Sequence, residues 1–184
     1  MLKQSLFALT IAAAPVAAHA ATDAAVQAKS TITSPARADD TEIFGDAAAC
    51  GPDARGPAVL VTVDGFRDRT GQLRISIYRA QEEEFLASGK YVTRIDTPMT
   101  ESGPMTVCAP VPENGPHAIV ALHDRNQDGK LNVWSDGFGF SNNPRLGHSK
   151  PKVDLVETRI AGIVPMRVIL NYAQGLSARP WRGK

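Results

Sequence analysis

Val59–Gly65 reads VLVTVDG. Val59, Val61 and Val63 fall on one side of an extended chain, Leu60, Thr62 and Asp64 on the other, and Gly65 ends the run. A period of two is the mark of a half-buried strand. The pattern recurs along the chain. Leu73, Ile75 and Ile77 alternate with Arg74, Ser76 and Tyr78, and Met105, Val107 and Ala109 with Thr106 and Cys108. Ala118, Val120 and Leu122 alternate with Ile119 and Ala121, and Met166, Val168, Leu170 and Tyr172 with Arg167, Ile169 and Asn171. Gly, Pro or Asn separates the runs, and the prolines at 98, 104, 110, 112 and 116 suit strand edges and turns. Only Glu82–Ser88 suggests a helical turn or two, with Phe85 and Leu86 packed inward. These runs predict an all-β fold: an antiparallel two-sheet sandwich of roughly seven strands, transthyretin- or immunoglobulin-like.

The ends read differently. Met1–Ala20 has Lys3 in a positive n-region, an apolar stretch over Leu6–Ala18 and an Ala18-His19-Ala20 cleavage site, the pattern of a secretory signal peptide. Residues 21–49 form an Ala-, Thr- and Asp-rich flexible leader, from which Ile43 and Phe44 can dock as a first short strand. The sandwich domain is expected over 50–174, and 175–184 is a solvated basic tail whose anchor is Trp181. The 184 residues, 43% hydrophobic and 21% charged, suffice for one domain with a complete core. Removing Lys3 leaves 20 − 1 = 19 basic residues against 19 acidic ones. A neutral chain argues against nucleic acid or a membrane surface bound by bulk charge. After the signal, no stretch approaches the ~20 apolar residues of a spanning helix. The expected location is the periplasm or the medium.

That address bears on the cysteines. An exported chain with an even cysteine count meets an oxidising compartment, so Cys50 and Cys108 are expected to form a disulfide; the alternative is two separate buried thiols. Ala47-Ala48-Ala49-Cys50 superficially resembles a lipidation site, but Asp39-Asp40-Thr41-Glu42 stands where such a signal needs an apolar run.

The unusual chemistry lies in His123–Asn132, HDRNQDGKLN. Asp124, Asn126 and Asp128 alternate before Gly129, Lys130 offers a backbone carbonyl, and Asn132 stands where ligation often runs through water. This is the first half of a calcium loop. Its twelfth position is Ser135 rather than a bidentate Glu, with Asp136 one residue late, and a strand rather than a helix precedes it. The expectation is weak calcium binding by an incomplete ligand set; the alternative is an Asx-rich turn whose side chains bond their own backbone. The next segment, DGFGFSNNPR, lacks the third glycine and the helix of a dinucleotide site. Phe138 and Phe140, with Asn142, Asn143 and Arg145, form either a ligand surface or, with burial the commoner fate of paired phenylalanines, a loop folded over the sandwich end.

These motifs resemble a bacterial family catalogued as domain of unknown function 2141. The family pattern is a D-x-N-x-N-G-K-L-D loop after a strand, a G-x-P-x-E step and a G-Y-G-F-S-N motif. Asp124, Asn126, Asp128, Gly129 and Lys130 match the first, and Gly137, Phe138, Gly139, Phe140, Ser141 and Asn142 the last. The similarity runs from about Val59 to Tyr172. The G-x-P-x-E step is missing, and Asn132 stands where the family often has Asp; both departures remove acidic ligands. The resemblance implies an exported protein of uncharacterised function and supports the fold and the loop.

Catalytic motifs are absent from the sequence. Neither G-x-S-x-G nor H-E-x-x-H occurs. His117 and His123, six residues apart on one strand, stand about 20 Å from each other and cannot share an ion. His148 has no such pattern near it, and Glu82-Glu83-Glu84 reads as a solvated face. The function expected is a non-catalytic binding or structural module of the cell envelope, its ligand unknown. The alternative is a glycan hydrolase in which Asp64, Asp68 and Asp136 converge.

Overall fold

The computed structural model describes residues 42–182. The expected signal peptide, the expected leader up to residue 41 and the last two residues of the expected tail lie outside the described residues. Eleven strands follow in chain order: β1 (Ile43–Gly45), β2 (Ala58–Asp64), β3 (Gln72–Arg79), β4 (Tyr91–Pro98), β5 (Met105–Pro110), β6 (Gly115–Asp124), β7 (Gly137–Phe140), β8 (Glu157–Ile160), β9 (Ile163–Ile169), β10 (Asn171–Gln174) and β11 (Ser177–Pro180). A four-residue helix, α1 (Val153–Val156), precedes β8, and a 3₁₀ turn, Ala47–Cys50, follows β1. No helix among the described residues is long and apolar enough to cross a membrane.

The strands form two sheets, one ordered β1-β5-β2-β9, the other β11-β10-β7-β6-β3-β4 with β8 also on β6. The alternation explains their packing. Val59, Val61 and Val63 of β2 and Val107 of β5 share one buried cluster with Leu73, Ile75 and Ile77 of β3 and Ile119 of β6, so each sheet turns an apolar face to the other. The outer face of β6 is buried too: Ala118 and Val120 meet Phe85, Phe140 and Val156 in a second cluster. Phe85 sits there at 2% exposure from a turn over 82–86, where a helical turn or two was expected.

Several expectations need correction. The seven-stranded sheet is antiparallel, but the four-stranded one is mixed, because β1 runs parallel to β5 and β2 parallel to β9. Both parallel pairs join strands distant in sequence, a pairing that the period of a single segment does not encode. The strand count is eleven rather than seven. Met166–Tyr172 is also two strands instead of one. The chain leaves the four-stranded sheet after Ile169, Leu170 N donates to Asp64 O (2.9 Å), and Asn171 enters the other sheet beside Phe138. β1 lies inside the stretch expected as leader, and β11 inside the stretch expected as tail. Trp181 is half-buried against the main core.

Cys50 and Cys108 are bridged, with their Cα atoms 5.9 Å apart. Asp46 caps the 3₁₀ turn by accepting from Ala49 N, and its own N–H donates to Cys108 O. The turn thus delivers Cys50 to the middle of β5.

Candidate functional site: the loop end of the sandwich

The β6–β7 connection is built from side chains that bond backbone. Asp124, fully buried at the end of β6, accepts on Oδ2 from Gly129 N (2.9 Å) and Gln72 Nε2 (3.2 Å). The Arg74 guanidinium lies 3.8 Å from that oxygen, donates to Gly129 O (2.7 Å) and pairs with Asp96. Asn126 Oδ1 accepts from Asp128 N, and Asp128 Oδ1 from Lys130 N, a bond that first among its causes holds the Asp128 carboxyl below its usual range. Asn126 Nδ2 also donates to Asp128 Oδ2 (2.9 Å). Asn132 Oδ1 accepts from Trp134 N. Asp136, fully buried, takes Asn132 N on one oxygen and Arg125 N and Ser135 Oγ on the other.

The candidate ligands therefore divide. Asp124, Asn126 and Asp128 line the first half of the loop, with Lys130 joined to them through its N–H. Asn132 and Asp136 lock the second half to itself. Among the described residues, no three His, Cys, Asp or Glu side chains gather as a metal-binding group. One buried oxygen, Asp124 Oδ1, has no hydrogen-bond partner.

The second half of this loop faces a cleft. Leu131, Val133 and Trp134 are 47%, 44% and 71% exposed, and Leu176, on the turn between β10 and β11, is 82% exposed. With Phe138, Phe140 and Leu146 they line an open apolar cleft of about 330 Å³. Phe138 is half-buried and Phe140 5% exposed, the two rings edge-on at 6.4 Å. They form the floor. Asn142 and Asn143, both at positive φ (63° and 47°), are staples: Asn142 Nδ2 donates to Glu157 O, and Asn143 bonds Arg167 O and Ile169 N. Arg145 is exposed on the neighbouring groove. Sequence reading passed over Leu131, Val133, Trp134 and Leu176. The available signal was the run of large apolar residues inside an otherwise polar, Gly- and Asn-bearing loop.

The glycines of GFGF are explained by close approach. A Cβ on Gly137 would stand 2.4 Å from the Tyr172 ring, and one on Gly139 2.6 Å from Ile169 O. Tyr172 is held in turn. Its hydroxyl donates to His123 Nδ1 (2.7 Å) and accepts from Arg67 N (3.1 Å), while His123 Nε2 donates to Thr70 O (2.7 Å). A carbonyl acceptor at Nε2 and a phenol at Nδ1 suit a neutral imidazole. Burial pushes the His123 pKa down and the Tyr172 phenol up to about 12. His123 is a fully bonded strand-end residue.

The three carboxylates of the hydrolase alternative are each engaged by donors, and Asp68 and Asp136 share Arg125, the first through its guanidinium and the second through its N–H. Asp64 is bonded to Arg167, which first among several causes holds its carboxyl below the usual range. Burial works against the charge on Asp68, but Arg125 at 2.8 Å and Thr70 N outweigh it and the carboxyl is lowered. Asp136 is saturated by the loop donors described above.

No curated protein and no solved structure matches this chain. A family model described as "Uncharacterized protein conserved in bacteria (DUF2141)" matches residues 61–163, from β2 through the loop and the GFGF strand to the first residue of β9. The chain belongs to this bacterial family.

Proposed function

We propose that this protein is an exported binding module of the bacterial envelope and that its site is the apolar cleft at the loop end. The observation that carries the reading is a concentration of exposed apolar surface. Of the eight large hydrophobic side chains that are exposed among the described residues, four line this one cleft. Soluble domains leave single apolar residues in water freely, but a concave cluster marks an interaction site. The sandwich then works as transthyretin- and immunoglobulin-like sandwiches do, holding a ligand on strand-end loops over a rigid core. The signal pattern at the N-terminus and the Cys50–Cys108 bridge support export. The hydrolase alternative draws no support from three carboxylates each engaged by arginine or loop donors.

Binding of Nile red, a neutral dye that brightens in apolar surroundings, tests the cleft. The full chain is expected to bind it saturably. Trp134→Ala and Leu176→Ser should weaken binding by roughly tenfold each, the loss of about 1.4 kcal/mol of buried contact. Both side chains are exposed, so the melting temperature should hold. Equal binding by the wild type and both variants would overturn the assignment.

We also propose weak calcium binding in the first half of the loop, supported by Asp124 Oδ1, a buried carboxylate oxygen without a donor. Asp124, Asn126, Asp128 and the Lys130 carbonyl would hold the ion, which would tie the end of β6 to the loop. Two carboxylates and the nearby Arg74 charge place the affinity in the ~10⁻⁴ to 10⁻³ M range. At 100 times the dissociation constant, linkage adds about 2.7 kcal/mol, a rise of several degrees in melting temperature. Asp128→Ala should abolish the rise, and magnesium at equal concentration should not reproduce it. Asp136→Ala should destabilise the protein with or without calcium, since it strands three loop donors. Identical melting curves in chelator and in tens of millimolar calcium would favour the Asx-turn reading.

A further inference from the structure

Beside the apolar cleft runs a second groove, of about 580 Å³, and its character is opposite. Arg145, Arg179 and Arg182 line it together with Asn143 and Asn171, and its lining contains no Asp or Glu. None of the three arginines makes an ion pair among the described residues. Arg179 Nε donates only to Ser177 Oγ (2.9 Å). Elsewhere Arg74 pairs with Asp96, Arg125 with Asp68 and Arg167 with Asp64, while Arg55, Arg69 and Arg159 stand without an ion pair among the described residues but outside this groove. Lys150, on the cleft rim, is held by Glu82 at 2.9 Å. In a chain of 20 basic and 19 acidic residues, three uncompensated guanidinium groups around one groove are a local excess. Guanidinium is the group best shaped to grip a carboxylate or phosphate.

The two sites share a wall. Leu146, Ser177 and Ala178 line both. From the apolar cleft on one side of this wall and the arginine groove on the other, we infer that the ligand is a monomeric anionic amphiphile. Its tail lies on Trp134, Phe138 and Leu176, and its anionic head reaches Arg145, Arg179 and Arg182. At about 30 Å³ per water-sized group, the cleft has room for roughly ten such groups, the scale of a medium-length alkyl chain. The inference rests on the cleft reading above and adds the charge of the ligand.

The test compares decanoate with decanol, equal in chain length and different in charge, as competitors of Nile red on the full chain below their aggregation limits. Decanoate is expected to bind about tenfold more tightly than decanol, and added salt to erode that advantage. In the triple variant Arg145→Gln/Arg179→Gln/Arg182→Gln, the two should bind alike while Nile red itself binds as in the wild type. Acetate, a head without a tail, should not compete. Equal affinity for decanoate and decanol in the wild type, or an undiminished preference in the triple variant, would overturn the inference and leave the cleft standing. Failure of Nile red to bind at all would remove the cleft and the inference together. Arginine-dependent cosedimentation with phosphatidylglycerol vesicles, with no binding of free decanoate, would overturn the soluble ligand in favour of a membrane surface.

Discussion

Removal of the Cys50–Cys108 bridge should lower the stability of the folded domain by about 4 kcal/mol, the chain-entropy value for a loop of this size. The bridge spans 58 residues of sequence. What it holds is otherwise weak: β1 is a three-residue strand, paired in parallel with β5 at the edge of its sheet. Phe44 packs on the core and Asp46 N reaches Cys108 O, but little else retains the segment. Once it is released, the free edge of β5 is uncovered, which adds an aggregation hazard. In the double variant Cys50→Ser/Cys108→Ser, the melting temperature should drop by about 10 °C. Amide exchange should accelerate first over Ile43–Cys50. A drop of less than a couple of degrees, or unchanged exchange there, would contradict this account of the N-terminal strand.

Gly137→Ala should cost about 3 kcal/mol through overpacking. The added Cβ would meet the ring of Tyr172, which is 1% exposed and fixed by His123, Arg67 N and the edge of Trp181. The ring cannot retreat without leaving a buried imidazole nitrogen and the Arg67 N–H unbonded. The cause is separable. In a Tyr172→Leu background, itself destabilised, the alanine should cost about 2 kcal/mol less, a coupling that urea unfolding measures directly. Additive effects of the two substitutions would place the strain of Gly137 elsewhere.

The strands that alternate cleanly were legible in the sequence because one face of each is buried against the opposite sheet. Others were hidden for physical reasons. In β4, Val92 and Ile95 both pack on the core although a spacing of three should place them on opposite faces. The register shift between Ile77 and Tyr78, where Tyr91 and Thr93 face successive residues of β3, accommodates this. β7, β8 and β11 have four residues each, too few to show a period. The break at Leu170 leaves the alternation intact and changes only the sheet, so nothing in the pattern marks it.

The site shows a similar division. The Asx residues of the loop announce a turn, and Asp124, Asn126 and Asp128 do fold around Gly129 and Lys130. The cleft was silent because its residues come from segments distant in sequence: Leu131–Trp134, Phe138–Phe140, Leu146 and the β10–β11 turn. Leu176, Arg179 and Arg182 lay in a stretch that reads as a solvated tail until β11 pairs with β10. Tertiary pairing turns those residues into lining of the cleft and the groove.

The central claim is that the loop-end cleft is where this protein meets its ligand, and amide NMR during a titration with decanol locates binding most directly. The account predicts saturable shifts confined to Leu131–Trp134, the segment around Leu146–Lys150 and Gly175–Ala178. Shifts concentrated on the exposed face of the four-stranded sheet, or none at all, would contradict it.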